Sequence, residues 1–107
     1  MAIRELTIAL ASSPSDVDIN FKLAQAYDEQ KQYASAAGFY LRAAEFGYKT
    51  HPLITYTSLL KMAICWTHQG DRNKTVHNNI MQAIAYLPNR PEAYFLLSRI
   101  NERNKMY

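Results

Sequence analysis

Residues 18–45, DINFKLAQAYDEQKQYASAAGFYLRAAE, limit what this chain can fold into more than any other stretch does. Leu23, Ala24 and Tyr27 recur at i, i+1 and i+4. After the polar QKQ, residues Tyr33, Ala36, Ala37, Tyr40, Leu41 and Ala44 follow the i, i+3, i+4, i+7 rhythm of a helix with one apolar stripe. The stretch therefore reads as two amphipathic helices facing each other across a short turn. A hairpin of two helices cannot bury both stripes by itself, so neighbouring copies must stack on it.

The rest of the chain supplies such copies. Ile3, Leu6 and Leu10 lie at helical spacing, and SSPSD ends that helix, with Ser15 or Asp16 placed to cap the next. The second helix runs from about Val17 to Glu29 and the third from about Tyr33 to Phe46, with Gly47 as the C′ residue. Gly38 inside the third helix costs about 1 kcal/mol relative to Ala, and close helix approach is a reason to keep it. KTHP restarts the chain with Pro52 in a first helical turn; Leu59, Met62, Ala63 and Trp66 form the next stripe, which stops at Gly70. Asp71 is placed to cap a helix carrying Val76, Ile80, Ala83, Ile84 and Leu87. Beyond Pro88, Asn89 and Glu92 have the spacing of a capping box for a last helix with Tyr94, Leu97 and Ile100. The expected fold is all-α, a helix-turn-helix repeat solenoid of about six helices with no strands. Only three Gly and four Pro are present, too few for the turns of a sandwich or barrel.

Aligning the helix pairs makes the period explicit. The first helices read Asn20, Leu23, Ala24, Tyr27; then Leu59, Met62, Ala63, Trp66; then Tyr94, Leu97, Ser98, Asn101. The second helices read Ala2, Leu6, Ala9; then Ala36, Tyr40, Ala43; then Val76, Ile80, Ala83. Small columns mark close approach and large ones fill the gaps. This pattern resembles the tetratricopeptide repeat, a helix-turn-helix unit of about 34 residues that builds a right-handed superhelix. The resemblance divides a single domain, 1–107, into a half repeat at 1–14 (a second helix), repeats at 17–50 and 56–89, and a half repeat at 91–107 (a first helix that stops at Tyr107). Asn20 and Asn101 stand where an aromatic is usual, Tyr48 replaces the terminal Pro, and Lys31 replaces the turn Gly that Gly70 retains. The link between the full repeats is about five residues longer than the repeat spacing, and RNKTV holds one extra residue, so local geometry deviates there. A fainter resemblance links PNRPEAYFLLSRINERNKMY to helical repeats that accompany glycosyltransferases, which makes an accessory segment of a larger enzyme the alternative reading and the chain a possible fragment.

The resemblance implies that the first helices line a concave peptide-binding groove. Its groove-facing positions carry over to Asp18, Phe21, Lys22, Gln25, Asp28 and Glu29, then Thr57, Leu60, Lys61, Ile64, Thr67 and His68, then Glu92, Phe95, Leu96, Arg99, Glu102 and Arg103. Phe21, Leu60 and Phe95 form an apolar rail, and Lys22, Lys61 and Arg99 a cationic track, which suits an extended peptide with an acidic group and a few apolar side chains. The competing reading is that these apolar groups pack on neighbouring helices and the charges are merely solvated. Chaperone-binding members of the family clamp a terminal carboxylate with Lys and Asn; here Phe21 and Gln25 occupy those positions, which argues against that specificity.

No other constellation carries chemistry. Cys65 and His68 share a helix face at i, i+3 without a second ligand pair, so Cys65 reads as a buried structural thiol. His51, His68 and His77 sit on separate segments, and the glycines are isolated, so no catalytic triad, phosphate loop, metal site or cofactor is expected. The net charge of +3 comes from twelve cations interleaved with nine acids, which gives a nucleic-acid partner no support. One cysteine and no long apolar run point to a cytoplasmic, non-membrane chain. The expected function is a non-catalytic scaffold for a protein or peptide partner. The half repeats leave Leu6 and Leu10 at one end and Leu97 and Ile100 at the other without mates, so end-to-end self-association is expected.

Overall fold

The computed structural model describes residues 3–70 and 73–104, the side chains of 73, 103 and 104 excepted. These residues form six helices: α1 (Ile3–Ser12), α2 (Val17–Glu29), α3 (Tyr33–Gly47), α4 (Pro52–His68), α5 (Asn73–Tyr86) and α6 (Glu92–Asn104), with no strand among the described residues. Each helix packs on its neighbours in sequence, and α2 also touches α4. That additional contact aligns the first helices of successive hairpins, and the body is 47 Å long against 28 and 19 Å across. One core runs along the stack through Leu23, Ala24, Ala36, Tyr40, Tyr56, Met62, Ala63, Val76, Ile80 and Ala83.

The turns show how the sequence punctuates the stack. Asp16 is the cap of α2, its carboxylate accepting from the Ile19 N–H at 3.0 Å. Asn20, in an aromatic column, is fully buried because its amide donates to the Pro14 and Asp16 carbonyls at 3.1 and 2.8 Å, which ties the α1–α2 link to the core. Helix α2 ends in a Schellman arrangement: Gln32 N–H bonds Tyr27 O and Lys31 N–H bonds Asp28 O, both at 2.9 Å. This closure forces the residue after the C-cap into the left-handed region, where Lys31 has φ 61°. Gly70, at the same place after α4, has φ 89° without a side chain to strain.

Three local expectations are corrected. Gly47 is not a C′ residue. It is the last helical residue of α3, buried, and a Cβ there would lie 3.0 Å from Val17 Cγ1, 3.1 Å from Thr55 Oγ1 and 3.2 Å from His51 Cβ. Gly38, expected at a close approach, is exposed with nothing within 4 Å of where its Cβ would be. Asn89 does not cap α6: it lies in the turn before the helix, the Pro91 carbonyl accepts the first helical bond from Phe95 N–H at 3.1 Å, and Glu92 pairs with Arg90 instead. Asp71, the expected cap of α5, lies outside the described residues.

The long link between repeats does not bulge. It winds into an extra turn at the start of α4, the longest helix at 17 residues against 13 for α2. Thr55 secures that turn by donating its hydroxyl to the Ala44 carbonyl at 3.0 Å inside the core.

Candidate functional site

A cleft of about 350 Å³ opens between α4 and α6. On α4, Thr57, Leu60, Lys61 and Ile64 fall at i, i+3, i+4 and i+7; on α6, Glu92, Phe95, Leu96 and Arg99 repeat the same spacing. Two stripes of equal period on neighbouring first helices produce a trough with apolar walls and a charged rim. Its lining also includes Tyr56, a buried side chain absent from the expected groove. The Tyr56 hydroxyl accepts from Ala93 N–H at 2.9 Å and donates to the Arg90 carbonyl at 3.4 Å. One unpaired N–H of the first turn of α6 is thereby satisfied, and the two helices are fixed relative to each other. Burial pushes the Tyr56 pKa up against the opposing pull of the Ala93 N–H, so the hydroxyl stays protonated and able to donate.

Charge is distributed unevenly around this cleft. Glu92 at its mouth is paired with Arg90 at 2.8 Å, and both side chains are about half exposed. Lys61 and Arg99 have no acidic partner among the described residues. The uncompensated charge of the cleft is therefore positive, and it flanks Leu60, Ile64 and the 68%-exposed ring of Phe95.

Of the expected groove residues, Leu60, Lys61, Ile64, Phe95 and Arg99 are brought together here, with Thr57, Glu92 and Leu96. The α2 residues lie on the adjoining helix and do not line the cleft. Lys22, Gln25 and Glu29 are exposed, while Phe21 is half-buried with its ring edge-on to Tyr40 at 5.9 Å, so packing claims much of it. Asp28 is occupied too, accepting from the Tyr40 hydroxyl at 3.0 Å. His68 stacks on Tyr33 of α3 at 4.2 Å and 10° between planes, which covers one face of its ring. The Arg103 side chain lies outside the described residues. Cys65 is a free thiol with no exposure, its pKa pushed up to about 12 chiefly by burial.

Sequence reasoning missed a second concavity of about 410 Å³, lined by Leu41, Tyr48, Leu59, Gln82 and Tyr86 among others. It faces the α3 and α5 side. Tyr86 donates its hydroxyl to the Tyr48 carbonyl, and the two rings meet at 4.8 Å. The signal in the sequence was Tyr48 itself, an aromatic at the position where the repeat usually ends in Pro. No helix among the described residues is long and apolar enough to cross a membrane.

Paired helices stacked along one axis, with first helices aligned on one side, define an α-helical repeat solenoid. Residues 2–49 match the family model described as tetratricopeptide repeat. Among solved structures the chain is similar to the N-terminal domain of stress-induced protein-1 (STI-1) from C. elegans, with a TM-score of 0.78 at 20% identity over 94% of this chain and 76% of that one. No curated protein matches. The tetratricopeptide-repeat sequence pattern is thus carried by α1 to α3, and the described residues have an all-α repeat fold throughout. None of these matches bears on the glycosyltransferase-associated resemblance.

Proposed function

We propose that this chain is a non-catalytic interaction module that holds an extended peptide segment of a partner protein in the cleft between α4 and α6. The observation that carries the reading is the coincidence, in one trough, of an exposed apolar anchor site and two cations without acidic partners among the described residues. A ligand carboxylate between Lys61 and Arg99 finds charge-assisted donors, and an apolar ligand side chain covers Phe95 and Leu60. The α3–α5 concavity is larger, but its lining offers one carboxylate, Glu45, and no cation. Exposed Lys22, Gln25 and Glu29 extend the same track along α2.

Selection from a random peptide library on the immobilised chain tests this. Recovered peptides are expected to combine one or more acids with a neighbouring apolar residue, and the double variant Lys61→Glu/Arg99→Glu is expected to lose them. Recovery of peptides without acids, or retention of the acidic ones by the double variant, refutes the proposal.

A further inference from the structure

Helix α4 borders a concavity on each of two sides. Thr57, Leu60, Lys61 and Ile64 line the cleft shared with α6, whereas Thr55 and Leu59, one turn apart, line the concavity of about 410 Å³ shared with α3 and α5. The two second helices contribute side chains at the same spacing, i, i+3 and i+4: Leu41, Ala44 and Glu45 from α3, and Gln82, Ala85 and Tyr86 from α5. Tyr48, just beyond α3, completes the lining, and the contact of its ring and carbonyl with Tyr86 spans the space between the two helices. From Leu41 to Tyr48 the pocket follows seven residues of chain, about 10 Å at the helical rise. That length and volume are those of a site for a small molecule.

The polar atoms of the lining decide which kind. The Thr55 hydroxyl proton is given to the Ala44 carbonyl and that of Tyr86 to the Tyr48 carbonyl, so neither is free to donate to a ligand. The side chains of Glu45 and Gln82 are exposed and have no hydrogen bond or ion pair among the described residues; Lys49, one helical turn beyond Glu45 in sequence, neither pairs with it nor lines the pocket. What remains for a ligand is a carboxylate without a compensating charge, an amide whose oxygen accepts, and the tyrosine rings, that of Tyr48 being 58% exposed. An anion is repelled by this set. A cation with N–H donors is matched by it twice, by the acceptor oxygens and by the ring faces. An open carboxylate alone holds a cation weakly, but here apolar walls stand beside it and reward a ligand that is apolar at its other end.

We propose that the α3–α5 pocket binds a small organic cation, an ammonium or guanidinium carried on an apolar body. The charged head donates to Glu45 and to the Gln82 side-chain oxygen beside the tyrosines, and the body lies against Leu41, Leu59 and Ala85. The pocket shares no lining residue with the α4–α6 cleft, so loss of one ligand leaves the other.

Phenethylammonium chloride, titrated into the nitrogen-15-labelled chain and followed by amide chemical shifts, is the probe. Saturable shifts are expected at residues 45–48 and 82–86. Its carboxylate counterpart, 3-phenylpropionate, is expected to give none there. Glu45→Gln keeps the shape and should weaken phenethylammonium about tenfold, the difference between a charge-assisted and a neutral hydrogen bond. Ala85→Trp fills the pocket from an exposed position and should abolish binding; unchanged circular dichroism verifies that both variants fold. The variant Lys61→Gln/Arg99→Gln, altered only in the other cleft, should bind phenethylammonium as the wild type does. Absence of saturable shifts at these residues, equal binding of 3-phenylpropionate, or undiminished binding by either pocket variant overturns the proposal.

Discussion

The same substitution, Gly to Ala, is expected to have opposite signs at two positions of α3. At Gly38 the helix is exposed and open, so Ala adds only helix propensity, about 1 kcal/mol of stabilisation. At Gly47 the propensity gain is at most the same, but the new methyl arrives 3.0 Å from a methyl of Val17, 3.1 Å from Thr55 Oγ1 and 3.2 Å from His51 Cβ. None of these neighbours yields easily. Val17 is buried and β-branched at the start of α2, His51 Cβ sits next to the backbone, and Thr55 Oγ1 cannot retreat without straining its buried bond to Ala44. Overpacking of this kind costs about 1–3 kcal/mol and a weakened buried hydrogen bond about 1 kcal/mol more. Subtracting the propensity gain leaves a net loss of about 1–3 kcal/mol. For a domain of this size each kcal/mol moves Tm by roughly 4–8 °C. Thermal unfolding followed by helical circular dichroism should therefore show G38A melting several degrees above wild type and G47A several degrees below it. If G47A melts at or above G38A, the close approach of α2, α3 and α4 at Gly47 is refuted.

Two further expectations come from single residues. Lys31→Gly relieves a left-handed side-chain residue at a fully bonded C′ position, and despite the greater freedom it gives the unfolded chain it should stabilise by about 0.5–1 kcal/mol; a fall in the urea midpoint contradicts this. Cys65, with a pKa near 12, presents about one thiolate in 10⁴ at pH 8, so a disulfide reagent should label it only as fast as the chain opens, and rapid labelling of the native chain contradicts its burial.

The repeat columns were readable because burial in a stack is periodic. Leu23, Ala24, Ala36, Tyr40, Met62, Ala63, Val76, Ile80 and Ala83 were each identified by spacing, and each is buried. Helix α2 begins and ends where the pattern does because both of its ends are written locally, by the Asp16 cap and by the QKQ turn. The roles of the glycines were not readable. A glycine serving left-handed backbone and one serving close packing look alike in sequence, and only the approach of α2 and α4 to the end of α3 separates Gly47 from Gly70. The capping box failed for a related reason. Asn89 and Glu92 have the right spacing, but Arg90 sits between them and offers Glu92 a charged partner, while Pro91 takes the position that begins the helix.

The candidate site divides along the same line. The groove positions implied by the repeat resemblance select Leu60, Lys61, Ile64, Phe95 and Arg99, and α4 and α6 bring them into one trough. Spacing cannot say which groove residues are already engaged. Phe21, Asp28 and His68 sit at the same repeat positions as open residues, yet Tyr40 and Tyr33, two side chains of α3, claim all three. Tyr40 alone meets two of them, with its ring edge against Phe21 and its hydroxyl on Asp28. The engaged residues thus gather where α3 leans on its neighbours. What remains open follows from where α3 ends. Its aromatics reach α2 and the C-terminal end of α4 but not α6, so the groove is left accessible in its α4–α6 half, where Lys61 and Arg99 stand without acidic partners among the described residues.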